Sequence, residues 1–127
     1  MRVGICTGGG DCPGLNAAIQ SVVNYAVGHH KMEVVGIFDS FNGLIKDQFE
    51  GKVLQQEDVA DILWRGGTVL GTYNKGNPFS GKDGKKLFEK ACRSIKKQNL
   101  DALIVIGGEG TQGICRQFVD SGVPVVG

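Results

Sequence analysis

Two glycine-rich loops, each set between an apolar run and a helical stripe, constrain this chain more than any other feature. The first is Thr7-Gly8-Gly9-Gly10-Asp11-Cys12-Pro13-Gly14-Leu15-Asn16, and the second is Gly107-Gly108-Glu109-Gly110-Thr111. Glycine lets the backbone approach a ligand closely, and the N-terminus of a following helix carries partial positive charge, so each loop is suited to face a phosphate. Two such loops point to a single polyphosphate site.

The segments around the loops predict an alternating strand and helix pattern. Val3 to Cys6 reads as a buried strand, and Leu15, Ala18, Ile19, Val22, Val23 and Ala26 have the spacing of one helical face. Pro13 suits the first turn of that helix and Asp11 its N-cap. A second strand, Glu33 to Phe38, leads into a polar Asn42-Gly43 turn, and a short helix carrying Val59, Ile62 and Leu63 opens after Gln55 to Asp58. The stretch from Arg65 to Gly81 is long, irregular and too rich in glycine for core, which marks it as a functional loop or an unstructured one. Leu87, Phe88, Ala91, Cys92 and Ile95 form the next helical stripe, with lysines and Arg93 on its solvent side. Ala102 to Ile106 is a continuous apolar run, expected to be a central parallel strand covered on both faces. A helix through Ile114, Cys115, Phe118 and Val119 then ends at Gly122, and Val123 to Val126 begins another strand. A strand with no helix after it leaves a sheet face uncovered, so the 127 residues are expected to be the front of a larger protein.

Charge and cysteine content narrow the partners. With 14 basic and 13 acidic residues the net charge is +1, which gives no field for nucleic acid or a membrane surface. No apolar run approaches the roughly 20 residues that span a bilayer, and no signal peptide precedes the first strand, so a cytoplasmic protein is expected. Cys6, Cys92 and Cys115 fall on apolar faces and read as buried thiols, whereas Cys12 lies in the first loop. His29 and His30 follow a helix and read as a solvated cap without metal-ligand company.

Familiar phosphate motifs do not fit. A dinucleotide fingerprint fails at Pro13, where its third glycine belongs, and no Gly-Lys pair is followed by Ser or Thr as a Walker loop requires. Glu109, at the end of a buried strand, is open to two readings: a helix cap, or a ligand to Mg²⁺ held largely by phosphate and water. Arg65 reaches a phosphate or anchors its turn to the sheet.

Thr7 to Ala18, Arg65 to Gly71 and Ala102 to Thr111 resemble three successive motifs of the phosphofructokinase family, in that family's order and spacing along essentially the whole chain. The resemblance implies an α/β fold, a parallel sheet with flanking helices in a Rossmann-like three-layer arrangement, incomplete at the C-terminus. Residues 1–127 would be the N-terminal portion of the larger, donor-binding domain. It also implies transfer of a phosphoryl group to the 1-hydroxyl of fructose 6-phosphate, with Mg²⁺ and either ATP or pyrophosphate, by an enzyme that is a homo-oligomer at full length. Lipid and NAD kinases share a similar second loop but are not expected to combine it with the first.

Carried over residue by residue, Gly10 resembles the glycine whose backbone approaches the donor phosphates, and Phe41 an aromatic residue near the nucleotide. Lys75, with Asn74, falls where many members clamp the phosphates with arginine; lysine keeps the charge and gives up the bidentate fork. Gly108, Glu109, Gly110 and Thr111 match the second donor loop, Glu109 replacing the family's usual aspartate as the metal ligand. Members that resemble pyrophosphate enzymes carry aspartate at the position of Gly110, so glycine there favours ATP. Ile114 stands where many members have glycine. Gln20, Asn24 and Gln56 match positions where allosteric bacterial members have arginines, so that family's effector control is expected to be missing. The family's Thr-Ile-Asp-Asn-Asp segment, whose aspartate takes the proton from the attacking hydroxyl, would follow Gly127, as would the sugar-phosphate contacts. Residues 1–127 alone are therefore expected to be inactive. A rival reading is a non-catalytic nucleotide-binding module.

Overall fold

The computed structural model describes residues 1–127. Its centre is β1 (Arg2–Thr7), apolar between Arg2 and Thr7, flanked by β2 (Glu33–Ile37) on one side and β4 (Ala102–Ile106) on the other, both parallel to it. β5 (Val125–Val126) continues the parallel set beyond β4. β3 (Gly51–Leu54) closes the opposite edge as an antiparallel strand against β2, giving the order β3-β2-β1-β4-β5.

Alternation along the strands feeds two cores. Val3, Ile5 and Val34 face α1 (Leu15–Val23), whose Ile19 and Val23 are fully sealed; the helix continues through a wider π-helical turn, Asn24–His29, that buries Ala26. Cys6, Val35, Ile37, Leu103 and Val105 face the other way, onto α2 (Asn42–Ile45), α3 (Gly84–Lys97) and α4 (Glu109–Asp120). At the centre of this second core Phe41 stacks on Phe118 with centroids 5.4 Å apart, Phe79 packs edge-on against Phe118 and Phe88, and Phe88 lies tilted on Phe118. Each large side chain buried here contributes about 1.5–3 kcal/mol of transfer free energy. The expected stripes of α1, α3 and α4 thus face the sheet except for Val119 of α4, which is 48% exposed, and Gly122, at φ +84°, ends α4 while the Val123 amide returns to the Phe118 carbonyl.

Several expectations need correction. β3 was not foreseen: four residues with one buried side chain give no periodic signal. The Asn42-Gly43 turn is instead the start of α2. The helix expected around Val59 to Leu63 is one 3-10 turn, Gln56–Val59, closed by a capping box between Gln55 and Asp58, and Leu63 is 42% exposed. Asp11 and Pro13 precede α1 without capping it, because the N-cap is Gly14 at φ +95°, a left-handed conformation that glycine holds without steric cost. β4 is sealed on the α3/α4 side only; Ala102, Ile104 and Ile106 on its other face are half-buried, since α1 lies over β1 and β2. Cys6 and Cys115 are buried and Cys92 half-buried, and burial raises all three thiol pKa values. No helix is long and apolar enough to cross a membrane.

Candidate functional site

The C-terminal ends of β1, β2 and β4 bring three connections together: the first glycine loop, the β2–α2 turn, and the loop into α4. The Gly8 amide extends the sheet by donating to the Ile106 carbonyl at 2.8 Å, which lays the two glycine loops side by side. Thr111 is wedged where they meet. A β-carbon at Gly8 would lie 2.7 Å from its methyl group, and one at Gly107 would meet the same side chain at 2.7 Å. Packing alone therefore requires glycine at both positions.

The first loop is fastened to the irregular segment after Arg65. Thr7, completely buried, donates from Oγ1 to the Gly71 carbonyl and shares a 2.8 Å hydrogen bond with the Thr68 hydroxyl. Asn16, 2% exposed at the start of α1, donates from Nδ2 to the Arg65 carbonyl at 3.0 Å and accepts the Val69 amide at 2.8 Å. Thr72 Oγ1 donates to the Gly9 carbonyl, and the Gly9 amide donates to the Tyr73 carbonyl. Residues 65–73 are thus an ordered strap, held to the first loop and the start of α1 by these hydrogen bonds. Arg65 lies on its outside in an exposed ion pair with Asp61, so its side chain neither reaches a cleft nor ties the turn to the sheet.

The second loop is bare by comparison. α4 begins at Glu109 with Gly108 as N-cap and no side-chain cap, so Glu109 is not a cap. The first amides of a helix have no intrahelical partner and carry its positive dipole end. Glu109 is exposed and makes no ion pair, and its neighbourhood contains no cluster of three metal-ligating side chains. A lone carboxylate of this kind fits a hard divalent cation that takes its remaining oxygens from phosphate and water.

Two clefts open on either side of this junction. One, about 330 Å³, is lined by Tyr73, Asn74, Pro78, Ile114 and the edge of Phe41. The other, about 510 Å³, is lined by Cys12, Ile106, Gly108 and Glu109. Gly9, Gly10, Gly110 and Thr111 belong to both and form the wall between them. At Gly10, Gly108 and Gly110, in contrast to Gly8 and Gly107, an added β-carbon would meet no atom within 4 Å. None of these three has a positive φ. The fold itself has no need for glycine there.

A family model described as phosphofructokinase matches residues 2–127. The chain belongs to the phosphofructokinase family. It is 43% identical over 127 residues to a pyrophosphate–fructose 6-phosphate 1-phosphotransferase of Amycolatopsis methanolica and 45% identical over 127 residues to ATP-dependent 6-phosphofructokinase 3 of Streptomyces coelicolor. Each match covers 100% of this chain and 36% of the relative, so the chain spans little more than a third of the length of these curated relatives. Among solved structures, the Pichia pastoris phosphofructokinase in its T-state superposes with a TM-score of 0.84 at 30% identity, covering 99% of this chain and 13% of that one. The α/β architecture expected for the family is the one observed, with the antiparallel β3 added at its edge.

Within this phosphofructokinase fold the residues singled out by sequence do converge, with two differences in detail. Gly10, Phe41, Asn74, Gly108, Glu109, Gly110 and Thr111 line one or both clefts. Phe41 is only 2% exposed and locked against Phe79 and Phe118, so it supplies floor and no open stacking face. Lys75 is exposed, unpaired, and lines neither cleft, although Asn74 and Gly76 on either side of it do. Sequence reasoning missed Ser40, Asn42, Tyr73 and Asn77, which complete the smaller cleft from the β2–α2 turn and the strap. Gln20 is occupied structurally, donating to the Val59 and Ala60 carbonyls and tying α1 to the 3-10 turn. His29 and His30 are exposed and pack against Tyr25.

Proposed function

We propose that the full-length protein is a 6-phosphofructokinase that transfers the terminal phosphoryl group of ATP to the 1-hydroxyl of fructose 6-phosphate, and that residues 1–127 hold the donor. The observation carrying this reading is the shared wall of Gly9, Gly10, Gly110 and Thr111, where Gly10 and Gly110, with Gly108 beside them in the larger cleft, answer to no requirement of the fold. A ligand lying directly against the backbone supplies that requirement.

In this reading the Gly10 backbone and the first amides of α4 cradle the donor phosphates, with no reorganisation needed as charge builds up in transfer. Lys75, exposed and unpaired just beyond the strap, would act as a point charge on the phosphates, with Asn74 beside it. Phe41 floors the nucleoside end. Glu109 would hold Mg²⁺ directly or through water; that ion would neutralise phosphate oxygens and polarise the transferring group. The chain's own contribution is positioning and electrostatics. Proton removal from the sugar falls to the segment that the family resemblance places after Gly127.

Gly110 favours ATP. Its position opens onto both clefts, and an aspartate there would set a carboxylate beside the phosphates at no packing cost. Pyrophosphate remains the second reading, because relatives with each donor in their names are similar to this chain by nearly the same margin. A coupled assay on the full-length protein with fructose 6-phosphate, Mg²⁺ and each donor in turn decides. Turnover with ATP and little with pyrophosphate is expected; the reverse overturns the donor assignment, and none with either favours a non-catalytic nucleotide-binding module.

A further inference from the structure

Ser40, in the β2–α2 turn, is held in a conformation that its own chemistry does not favour. Its φ is +61°, directly after Asp39 at +53°. The left-handed region brings the β-carbon against the backbone, a cost that glycine avoids and that aspartate and asparagine offset by local hydrogen bonding. Serine at such a site is an outlier, and outliers of this kind persist where the surroundings impose them, commonly at ligand sites. The surroundings are clear here. The Asp39 amide is fixed to the Leu70 carbonyl at 2.9 Å, and the amides of Asn42 and Gly43 close onto the Asp39 and Phe38 carbonyls.

The side chain so held is 5% exposed and lines the smaller cleft. Its hydroxyl makes no hydrogen bond within the protein, yet no sealed side-chain polar atom in the molecule is without a partner. The oxygen therefore keeps its remaining access through the cleft. It lies 3.1 Å from where a β-carbon of Gly8 would be, on the same spot that Thr111 crowds from the other loop. Thr111, 7% exposed, likewise makes no side-chain hydrogen bond. Two nearly buried, unpaired hydroxyls thus converge where the glycine loops touch, at the junction wall and away from the Pro78 end of the cleft.

The geometry points to Ser40 as a donor-binding residue whose hydroxyl donates a hydrogen bond to a phosphoryl oxygen of the donor, alongside the Thr111 hydroxyl. This rests on the donor site proposed above and adds a contact that its glycine loops do not supply. Because the recognised group is the phosphate, the contact serves ATP and pyrophosphate alike. The strained backbone is what keeps the hydroxyl aimed into the cleft.

Strain and binding make opposite demands, which gives a clean test. Ser40→Gly relieves the backbone and removes the hydroxyl; Ser40→Ala removes the hydroxyl and leaves the backbone strained. Steady-state kinetics of the full-length protein with fructose 6-phosphate, Mg²⁺ and the donor it uses should show the donor KM raised about tenfold in both variants, the loss of one charge-assisted hydrogen bond. The sugar KM and kcat should stay within about twofold, and Ser40→Gly should melt no lower than the parent. An unchanged donor KM in Ser40→Gly overturns the inference and leaves the donor site standing. A clearly lower melting temperature in Ser40→Gly also overturns it, since the hydroxyl would then be structural. Failure of the parent protein to use any phosphoryl donor removes the donor site itself, and this inference with it.

Discussion

The two glycine loops look alike in sequence and are built in opposite ways. The first is tied down: Thr7 and Asn16 engage the strap at residues 65–73, the strap's Thr72 donates back to the Gly9 carbonyl, and Asn16 and Thr7 are almost wholly buried in doing so. The second leaves its chemistry free, with Glu109 exposed and unpaired and open space beside Gly108 and Gly110. A phosphate site needs both. Rigid backbone sets where the amides point, and uncommitted groups answer the charge that arrives. The comparison therefore predicts that damage to the first loop appears as instability and damage to the second as lost activity.

The largest stability effect should come from Asn16→Ala. It strands the Val69 amide and the Arg65 carbonyl in a part-buried setting, and a loss of about 2–4 kcal/mol in urea unfolding is expected from the bonds removed and the groups left unpaired. A loss below about 0.5 kcal/mol would show that the strap is held by other means.

Glu109→Gln should do the reverse. With no ion pair to lose, its melting temperature should match the parent, while kcat at saturating Mg²⁺ falls about a hundredfold, about 2.7 kcal/mol of transition-state stabilisation. Equal activity would remove Glu109 from the metal site. Gly110→Asp sharpens the contrast further, because the same melting curve should accompany at least a tenfold rise in KM for ATP, about 1.4 kcal/mol, with less effect on pyrophosphate. A variant that fails to fold would contradict the open space beside Gly110.

Thr7→Val is the milder first-loop change, expected to cost about 1–2 kcal/mol by thermal or chemical melting, since valine fills the same volume and loses two hydrogen bonds. The smallest effect lies outside both loops. The Lys52 ammonium, and then the Gln55 amide, hold the Asp58 carboxyl below its usual pKa. A depressed folded-state pKa gives stability that is present above the ordinary carboxylate range and is lost as pH falls through the folded value. Asp58→Asn should accordingly melt slightly lower near neutrality and lose less on acidification than the parent. Parallel profiles would show that the pair contributes nothing.

What the sequence made legible follows the same division. Helix stripes, the buried strands and the order of the loops are written in periodicity and in long apolar runs, so β1, β2, β4 and the faces of α1, α3 and α4 were readable. Short elements were not: β3 and the 3-10 turn are four residues each, too few to show a period. The strap read as irregular because its order comes from side-chain to backbone bonds made across 53 residues, from Asn16 to Val69, and 64 residues, from Thr7 to Gly71. The cleft-facing glycines could be named from sequence, but only packing separates Gly8 and Gly107, which the fold needs, from Gly10, Gly108 and Gly110, which it does not. Ser40 carried no signal at all. A positive φ on serine is visible only in three dimensions.

The central claim is that two loops, one fixed and one free, form a single polyphosphate site. A crystal structure of the full-length protein with Mg²⁺ and a non-hydrolysable ATP analogue tests it most directly. The account predicts phosphates seated between Gly10 and Thr111, within hydrogen-bond distance of amides from both loops, with the Glu109 carboxylate on the metal side. Nucleotide bound elsewhere while both loops stay clear, or phosphates held by one loop with the other more than a hydrogen bond away, would contradict it.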